Sequence, residues 1–333
     1  MNVLITKLNL IFFKQLLKNT ELTANKIDVI GYHGQTLFHQ PSAKITIQVG
    51  NGQQLATATD ITVVNDFRTR DIEAGGQGAP FAPLYHQALA IRDDMVPVAI
   101  VNCGGIANVT FISGKSTSNV VGFDTGPGNG LIDRYIKRQT QGKEQMDTNG
   151  LYGSLGTVDE AVLKLLYEKS VFSQGKNFFL LPPPKSLDIG DLNLIPELDS
   201  LSLENACATL EAFTADTIAN STKFFHHQVP QYWILAGGGW HNPVIRHQLR
   251  MRLRKKLGEN IIIKTADEVG WQSSALEAQI FAYLAVRRLY NLPISVPGTT
   301  GVPMPLSGGN IYLSPSGPTK VVAKLLRLST THY

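Results

Sequence analysis

What the 333-residue chain lacks sets the first limits on it. It holds two cysteines, Cys103 and Cys207, far apart and in no metal or redox spacing. That excludes a disulfide framework and a zinc cluster, and it points to a reducing cytoplasm. No run reaches the roughly 18 apolar residues of a membrane span. The opening "MNVLITKLNLIFFKQLLKN" is apolar, but Lys7 and Lys14 interrupt it and no small-residue cleavage site follows, so it does not read as an export signal. Leu8, Ile11, Phe12 and Leu16 recur there at helical spacing and predict an amphipathic core helix. A net charge of +4 with 17% charged residues is too slight to argue for nucleic acid. The most basic run, "RHQLRMRLRKKL" at 246 to 257, lacks interleaved aromatics. Its stripe of Leu249, Leu253 and Leu257 predicts a helix with a solvated basic face. No short-period repeat and no Walker or dinucleotide fingerprint occurs.

What is present is 43% hydrophobic residues and 30 glycines, the mark of a globular chain with many close backbone approaches. Short β-rich runs ("IDVIGYHG", "ITIQVGN", "ITVVNDF", "VAIVNCGG", "NVTFISG", "NVVGFDTG", "YWILAGGG", "NIIIKTA") alternate with helical stretches. The latter include "APLYHQALAIRD", "GLIDRYIKRQ", "TVDEAVLKLLYE", "LEAFTADTIANSTKFFHH" and "SALEAQIFAYLAVRRLY". Such alternation predicts α/β architecture with largely buried sheets. A new strand series starts at Val98, which places a domain boundary in "RDDMVP" at 92 to 97. The expected divisions are therefore 1–97, 98–290 and a turn-rich tail at 291–333 that packs back on the body. "LLPPPKSLDIGDLN" reads as a loop.

Several constellations carry candidate chemistry. In "GFDTGPGNGLIDRY" a strand delivers Asp124 to the carboxyl end of a sheet, where open α/β folds bind ligands. Gly126, Gly128 and Gly130 then strip the turn of side chains, and Asn129 is placed to cap the next helix; a bare turn-capping aspartate would look much the same. "VAIVNCGGIANVTFI" is a hairpin whose Gly104-Gly105 turn, flanked by Asn102 and Asn108, offers backbone amides to phosphate oxygens or is simply a turn. "YWILAGGGWHNPVIRHQL" runs a buried strand through Gly237, Gly238 and Gly239 to a helix start near Asn242, which suits an anionic ligand. In the first half, "GYHGQTLFHQP" sets His33, Gln35, Thr36 and His39 on a turn after a strand. "NDFRTRDIEAGGQGAP" packs Asp66, Arg68, Arg70, Asp71 and Glu73 into a glycine-rich loop. His33 and His39 lack metal spacing, and opposed polar groups on such a loop look like a sugar site. Glu277 opens the last long helix, where the helix dipole alone would favour it.

Taken together and in this order, "GYHGQT", "NDFRTRD" with "GGQGAP", "NCGGIAN", "GFDTGPGN", "AGGGWHNP" and "SSALEAQIFAYLA" closely resemble the bacterial anhydro-N-acetylmuramic acid kinases over about residues 20 to 310. The resemblance implies a two-domain actin-like ATPase (ribonuclease H-like) fold with the nucleotide in the interdomain cleft. It implies cytoplasmic recycling of peptidoglycan fragments, with ATP and water converting 1,6-anhydro-N-acetylmuramic acid to N-acetylmuramic acid 6-phosphate. Asp124 then corresponds to the general base. Gly104, Gly105 and Asn108 match a phosphate-binding turn, and Gly237, Gly238, Gly239 and Asn242 match an adenosine-binding segment. His33, Gln35, Arg70, Asp71, Gly126 and Glu277 are the expected substrate contacts. ATP with Mg2+ is the expected cofactor pair, no metal site belongs to the protein alone, and a homodimer is suggested. Neither a nucleic acid nor a membrane partner is implied. One departure stands out: the family opens with a strand and a Gly-Thr-Ser-Leu-Asp-Gly phosphate loop, and no such pattern precedes "GYHGQT". The first domain is therefore expected to be incomplete, to expose an apolar sheet edge and to be poorly stable, weakly active or a non-catalytic sugar- or nucleotide-binding remnant.

Overall fold

The computed structural model describes residues 2–225 and 228–329. His226 and His227, which end one expected helix, and the last four residues of the tail lie outside the described residues. The chain divides into two compact units, Met1–Tyr85 with Ser274–Tyr333, and His86–Ser273. These divisions differ from the expected ones at 97/98 and 290/291, and the reason is packing. Residues after 273 bury Phe281, Leu284, Ala285, Leu289 and Ile294 against Val64, Phe67 and Phe81, so the chain returns to the core in which it began.

In chain order, the first unit contains α1 (Asn2–Thr20), β1 (Val29–Tyr32), β2 (Gln35–Gln40), β3 (Ile45–Val49), α2 (Gly52–Thr59), β4 (Thr62–Asn65) and α3 (Thr69–Glu73). The division between the units falls inside α4 (Ala82–Arg92). The second unit runs through β5 (Val98–Cys103), β6 (Ile106–Ile112), β7 (Val120–Pro127), α5 (Gly130–Gln139), α6 (Glu160–Lys169), the two-residue strands β8 (Phe172–Ser173) and β9 (Lys176–Asn177), α7 (Leu203–Asn220), β10 (Tyr232–Ala236), α8 (Pro243–Leu257) and β11 (Ile262–Thr265). The chain then re-enters the first unit with α9 (Leu276–Leu289), α10 (Pro297–Thr300), β12 (Asn310–Tyr312) and α11 (Lys320–Ser329).

The second unit is built on a five-stranded sheet in the order β11-β10-β5-β6-β7. β5, β10 and β11 are parallel, while β6 is antiparallel to both of its neighbours. A meander continued by parallel strands is the ribonuclease H-like arrangement. Alternation along each strand sends Ala99, Val101, Val109, Phe111 and Phe123 into one core with Phe213, Ile218 and Trp233. Phe111 stacks on Phe225 with ring centroids 4.3 Å apart. Each such fully buried side chain contributes about 1.5–3 kcal/mol.

The first unit holds a smaller sheet, β1-β4-β12, with β1 parallel and β12 antiparallel to β4. Among the described residues β1 is one of its two outer strands, and α9 packs close over it: a Cβ at Gly31 would lie 2.1 Å from the Phe281 carbonyl oxygen. Two expectations fail here. α1 is helical but does not present its apolar stripe to a core, because Leu8, Ile11, Phe12 and Leu16 are all exposed and Thr6 alone is buried. Helical periodicity names a face but not the partner that would cover it. Gln35 to Gln40, expected as a turn, is β2, which pairs antiparallel with β3 in a two-stranded ribbon.

Candidate active site

The second unit brings its three glycine-rich segments together. The Gly104-Gly105 turn between β5 and β6 accepts hydrogen bonds from the turn after β7: Asn129 N–H to the Gly104 carbonyl at 2.7 Å, and Gly128 and Gly130 N–H to the Gly105 carbonyl at 3.0 Å. This contact requires glycine at 128, where a Cβ would lie 2.1 Å from the Gly104 oxygen. The third segment joins from β10. Gly237 has a φ of 93° and room for no Cβ beside Asn102 Oδ1 and the Cys103 carbonyl, both 2.6 Å away. Gly238, by contrast, faces open space within 4 Å, and Gly104 nearly so. Open volume thus lies at 104 and 238, as an anionic ligand needs, while the Gly104 N–H itself donates to the Ile106 carbonyl at 3.1 Å. Two neighbouring side chains behave differently from expectation. Asn129 occupies the N-cap position of α5 but makes no side-chain cap, its Oδ1 lying toward Gly239 instead. Asn242 is committed within the chain: its Oδ1 caps α8 through Val244 N–H at 2.9 Å and Ile245 N–H at 3.3 Å, and its Nδ2 donates to Glu211. Asn242 thus builds the segment rather than offering its amide to a ligand.

Asp124 is aligned across β6 with Asn108, which in turn faces Asn102. Paired residues share a face, so these three polar side chains form a row on the opposite side of the sheet from the Phe123 core. The base of Asp124 is fixed by a segment that sequence reading missed. Residues 185 to 187 lie along the free edge of β7, where Asp124 N–H donates to the Lys185 carbonyl at 3.0 Å. Leu187 N–H donates to Asp124 Oδ2 at 2.7 Å. Burial pushes the Asp124 carboxyl from 3.8 up to about 7; the Leu187 hydrogen bond and the Lys185 ammonium oppose the rise, and the Asp188 carboxylate adds to it. A carboxylate of this kind, poised near neutrality and held at one oxygen, can take a proton. The only sequence signal for the segment is a lone lysine after three prolines, too common to single out. Cys103, behind the glycine turns, is fully buried and its thiol is pushed up to about 12 by burial, so it is chemically inert.

In the first unit, His33, Gln48, Asp66, Thr69, Asn310 and Tyr312 are among the residues lining a polar cavity of about 310 Å³. His33 Nδ1 is 2.9 Å from the Gly34 carbonyl, Nε2 accepts from Arg68 Nε at 3.0 Å, and the ring lies 4.5 Å from that of Phe281. Both neighbours fix one neutral tautomer. Burial, then the Arg68 charge, lowers the His33 pKa to about 4. Arg68, rather than the more obvious Arg70, is the buried cation of this loop. It also donates to the Gly78 carbonyl, and its pKa falls to about 10 through burial despite the Glu277 and Asp71 carboxylates. Asp71 is buried and spent on the loop, accepting Gly78 N–H at 2.6 Å and the Thr300 hydroxyl at 2.7 Å. It pins the glycine loop in place of pairing with Arg70, which is exposed and reaches the Ser307 carbonyl at 3.2 Å. Gln35 and Glu277 are exposed. Gly126 lies beside Thr217, 3.0 Å from where its Cβ would stand. Strand and loop geometry, not residue type, separates Arg68 from Arg70.

Comparison with known proteins shows the family of the chain. The family model for anhydro-N-acetylmuramic acid kinase matches residues 3–314. A protein of that name from Bradyrhizobium diazoefficiens is 44% identical over 286 residues, which cover 86% of this chain and 73% of the relative. Another, from Zymomonas mobilis, is 42% identical over 299 residues, 90% of this chain and 77% of the relative. A third, from Methylobacterium nodulans, is 41% identical over 306 residues, 92% of this chain and 77% of the relative.

Proposed function

The chain belongs to the anhydro-N-acetylmuramic acid kinase family, and from that premise we propose how its own residues carry the reaction. It is a phosphotransferase that uses ATP and water to convert 1,6-anhydro-N-acetylmuramic acid to N-acetylmuramic acid 6-phosphate. Asp124 takes a proton from a water molecule as that water attacks C1 of the bicyclic sugar. The C1–O6 bond breaks, and O6 accepts the γ-phosphoryl group while ADP leaves. The product carries the water oxygen at C1, and the proton rests on Asp124 until solvent removes it. Base catalysis of this type is worth on the order of 10² to 10⁴ in rate. The single observation that carries the assignment is the Asp124 carboxyl, held by Leu187 N–H at 2.7 Å and pushed up to about 7, at the mouth of the three glycine segments.

The nucleotide fits those segments because Gly104 and Gly238 leave open space, with Gly105 in the same turn as Gly104, while Gly237, Gly239 and Asn242 shape the wall. Among the described residues no group of three or more His, Cys, Asp or Glu side chains could hold a metal ion. Magnesium would come carried by the nucleotide's own phosphates, since this ion keeps much of its water and takes only one or two carboxylates. Bound there, it neutralises charge on the transferring phosphoryl group. For the sugar, the 310 Å³ cavity beside His33 has polar walls of the right kind, with Arg68 set behind His33 and with Gln35, Arg70 and Glu277 exposed on the same unit. Use of ATP places the reaction in the cytoplasm.

Turnover in water enriched in oxygen-18 tests the route. The label is expected at C1 of the sugar phosphate at early times and nowhere in the phosphate. Label in the phosphoryl group would mean that water attacks phosphorus, and the assignment of Asp124 would fall with it.

A further inference from the structure

A cavity of about 450 Å³ opens in the second unit, on the far side of β7 from Asp124. Phe123 and Thr125, which flank Asp124 in the strand, face this cavity, and alternation turns Asp124 away from it. Its walls are aromatic: Tyr167, Phe179 and Phe224 line it along with Leu180, and the Tyr167 and Phe179 rings meet edge to face at 4.7 Å. Two lysines converge on this apolar space. Lys185 is 8% exposed, with its ammonium 4.2 Å from the Phe178 ring centre and 5.1 Å from that of Phe224. The Lys223 ammonium lies 4.9 Å from the same Phe224 ring centre.

The hydrogen-bond inventory of the cavity is lopsided. The Tyr167 hydroxyl donates to Asp216 at 2.7 Å. Thr125, Thr217 and Ser221 donate to the carbonyls of Ala107, Thr214 and Ile218 at 3.1, 2.9 and 2.6 Å. Asn177 donates to the Tyr167 carbonyl at 2.8 Å, and Asn220 donates to Asp216 at 2.8 Å. The side-chain donors other than the lysines are thus spent. Among the described residues each ammonium, in contrast, has one hydrogen-bond acceptor, Lys185 the Phe178 carbonyl at 3.2 Å and Lys223 the Phe179 carbonyl at 3.3 Å, out of three N–H donors. Glu168 stands on the rim, and among the described residues neither lysine forms an ion pair with it or with any other carboxylate. Burial first, then the Lys223 charge, lowers the Lys185 pKa to about 8, against the Asp124 carboxylate, which raises it; Lys223 is itself lowered by burial and then by the Lys256 charge.

We propose that this cavity is a binding site for a small carboxylate with a flat apolar body, the carboxylate bridging Lys185 and Lys223 and the body lying among Tyr167, Phe179 and Phe224. The ligand's charge relieves the repulsion, its two oxygens take the spare donors, and the volume suits a molecule of drug-like size. The site lies on the other face of β7 from Asp124, although the Lys185 ammonium and the Asp124 carboxylate still feel each other's charge.

The test uses 3-phenylpropionate as probe, with 3-phenylpropanamide as its uncharged counterpart and acetate as the bare anion. Binding to the full chain is read by calorimetry and saturation-transfer NMR in the absence of ATP and anhydro-sugar, so the result stands apart from the kinase reading. Saturable binding of the carboxylate is expected, with the amide and acetate at least about tenfold weaker. Lys223→Met is expected to weaken the carboxylate about tenfold and Lys223→Arg to restore most of it. Lys223 is exposed, so both variants should keep the wild-type unfolding midpoint. Three results overturn the proposal: no saturation by about 10 mM carboxylate, equal binding of amide and carboxylate, or unchanged affinity in Lys223→Met.

Discussion

Asp124→Asn separates the catalytic from the structural consequence of one carboxylate. The amide is nearly isosteric, and its Oδ1 can accept the Leu187 N–H bond of 2.7 Å, so the strand edge should stay in place. What is lost is basicity. Sugar phosphorylation should therefore fall by about 10² to 10⁴, while the affinity for ATP changes little. In the wild type, kcat/KM should rise with pH through about 7, the deprotonation of the base, and this rise should vanish from the residual activity of the variant. Stability should move the other way. A carboxyl raised from 3.8 to about 7 in the folded state binds a proton more tightly there than when unfolded. Below 3.8 it costs nothing, the cost grows as pH rises from about 4 to 7, and above 7 it is complete. At about 1.4 kcal/mol per pH unit this amounts to at most about 4 kcal/mol. Urea unfolding at pH 5 and pH 8 should show Asp124→Asn gaining stability over the wild type, with the larger gain at pH 8. Activity within tenfold of wild type, or a variant that is less stable at pH 8, would refute the description of Asp124 as a desolvated base.

Other perturbations sort structural from ligand-facing residues. Gly128→Ala forces a Cβ to 2.1 Å from the Gly104 oxygen and should cost about 3 kcal/mol or the fold itself; Gly238→Ala meets nothing within 4 Å and should keep the unfolding midpoint while raising the KM for ATP. Asn242→Ala removes the cap of α8 and the Glu211 partner, so a loss of about 2–3 kcal/mol in urea unfolding is expected. Arg68→Leu leaves His33 Nε2 without its donor and takes away one of the causes of its low pKa. The His33 titration followed by NMR should then move upward from about 4, though burial, the larger cause, keeps it below the ordinary value.

The α/β class, eight of the strands and the glycine segments at 104–105, 126–130 and 237–239 were legible in the sequence, because period-two runs ending in glycine have few other meanings. A carboxylate ahead of the glycine turn was legible too, but not its exact place: β7 runs on through Pro127, so Asp124 lies inside the strand rather than at its end. What the tertiary structure decided are matters of partnership. Asn242 and Asp71 look like ligand contacts until their polar atoms are found bonded within the chain. Arg68 and Arg70 are chemically alike, and the course of the loop alone half-buries the first and exposes the second. The stripe of α1 names a face without saying whether anything covers it. Lys185 sits 61 residues from Asp124 in sequence, and the hydrogen bonds that bring its segment to the strand edge leave no local trace. Local pattern is written in spacing, which one chain displays by itself; which distant groups share a dry space is written only in the packing.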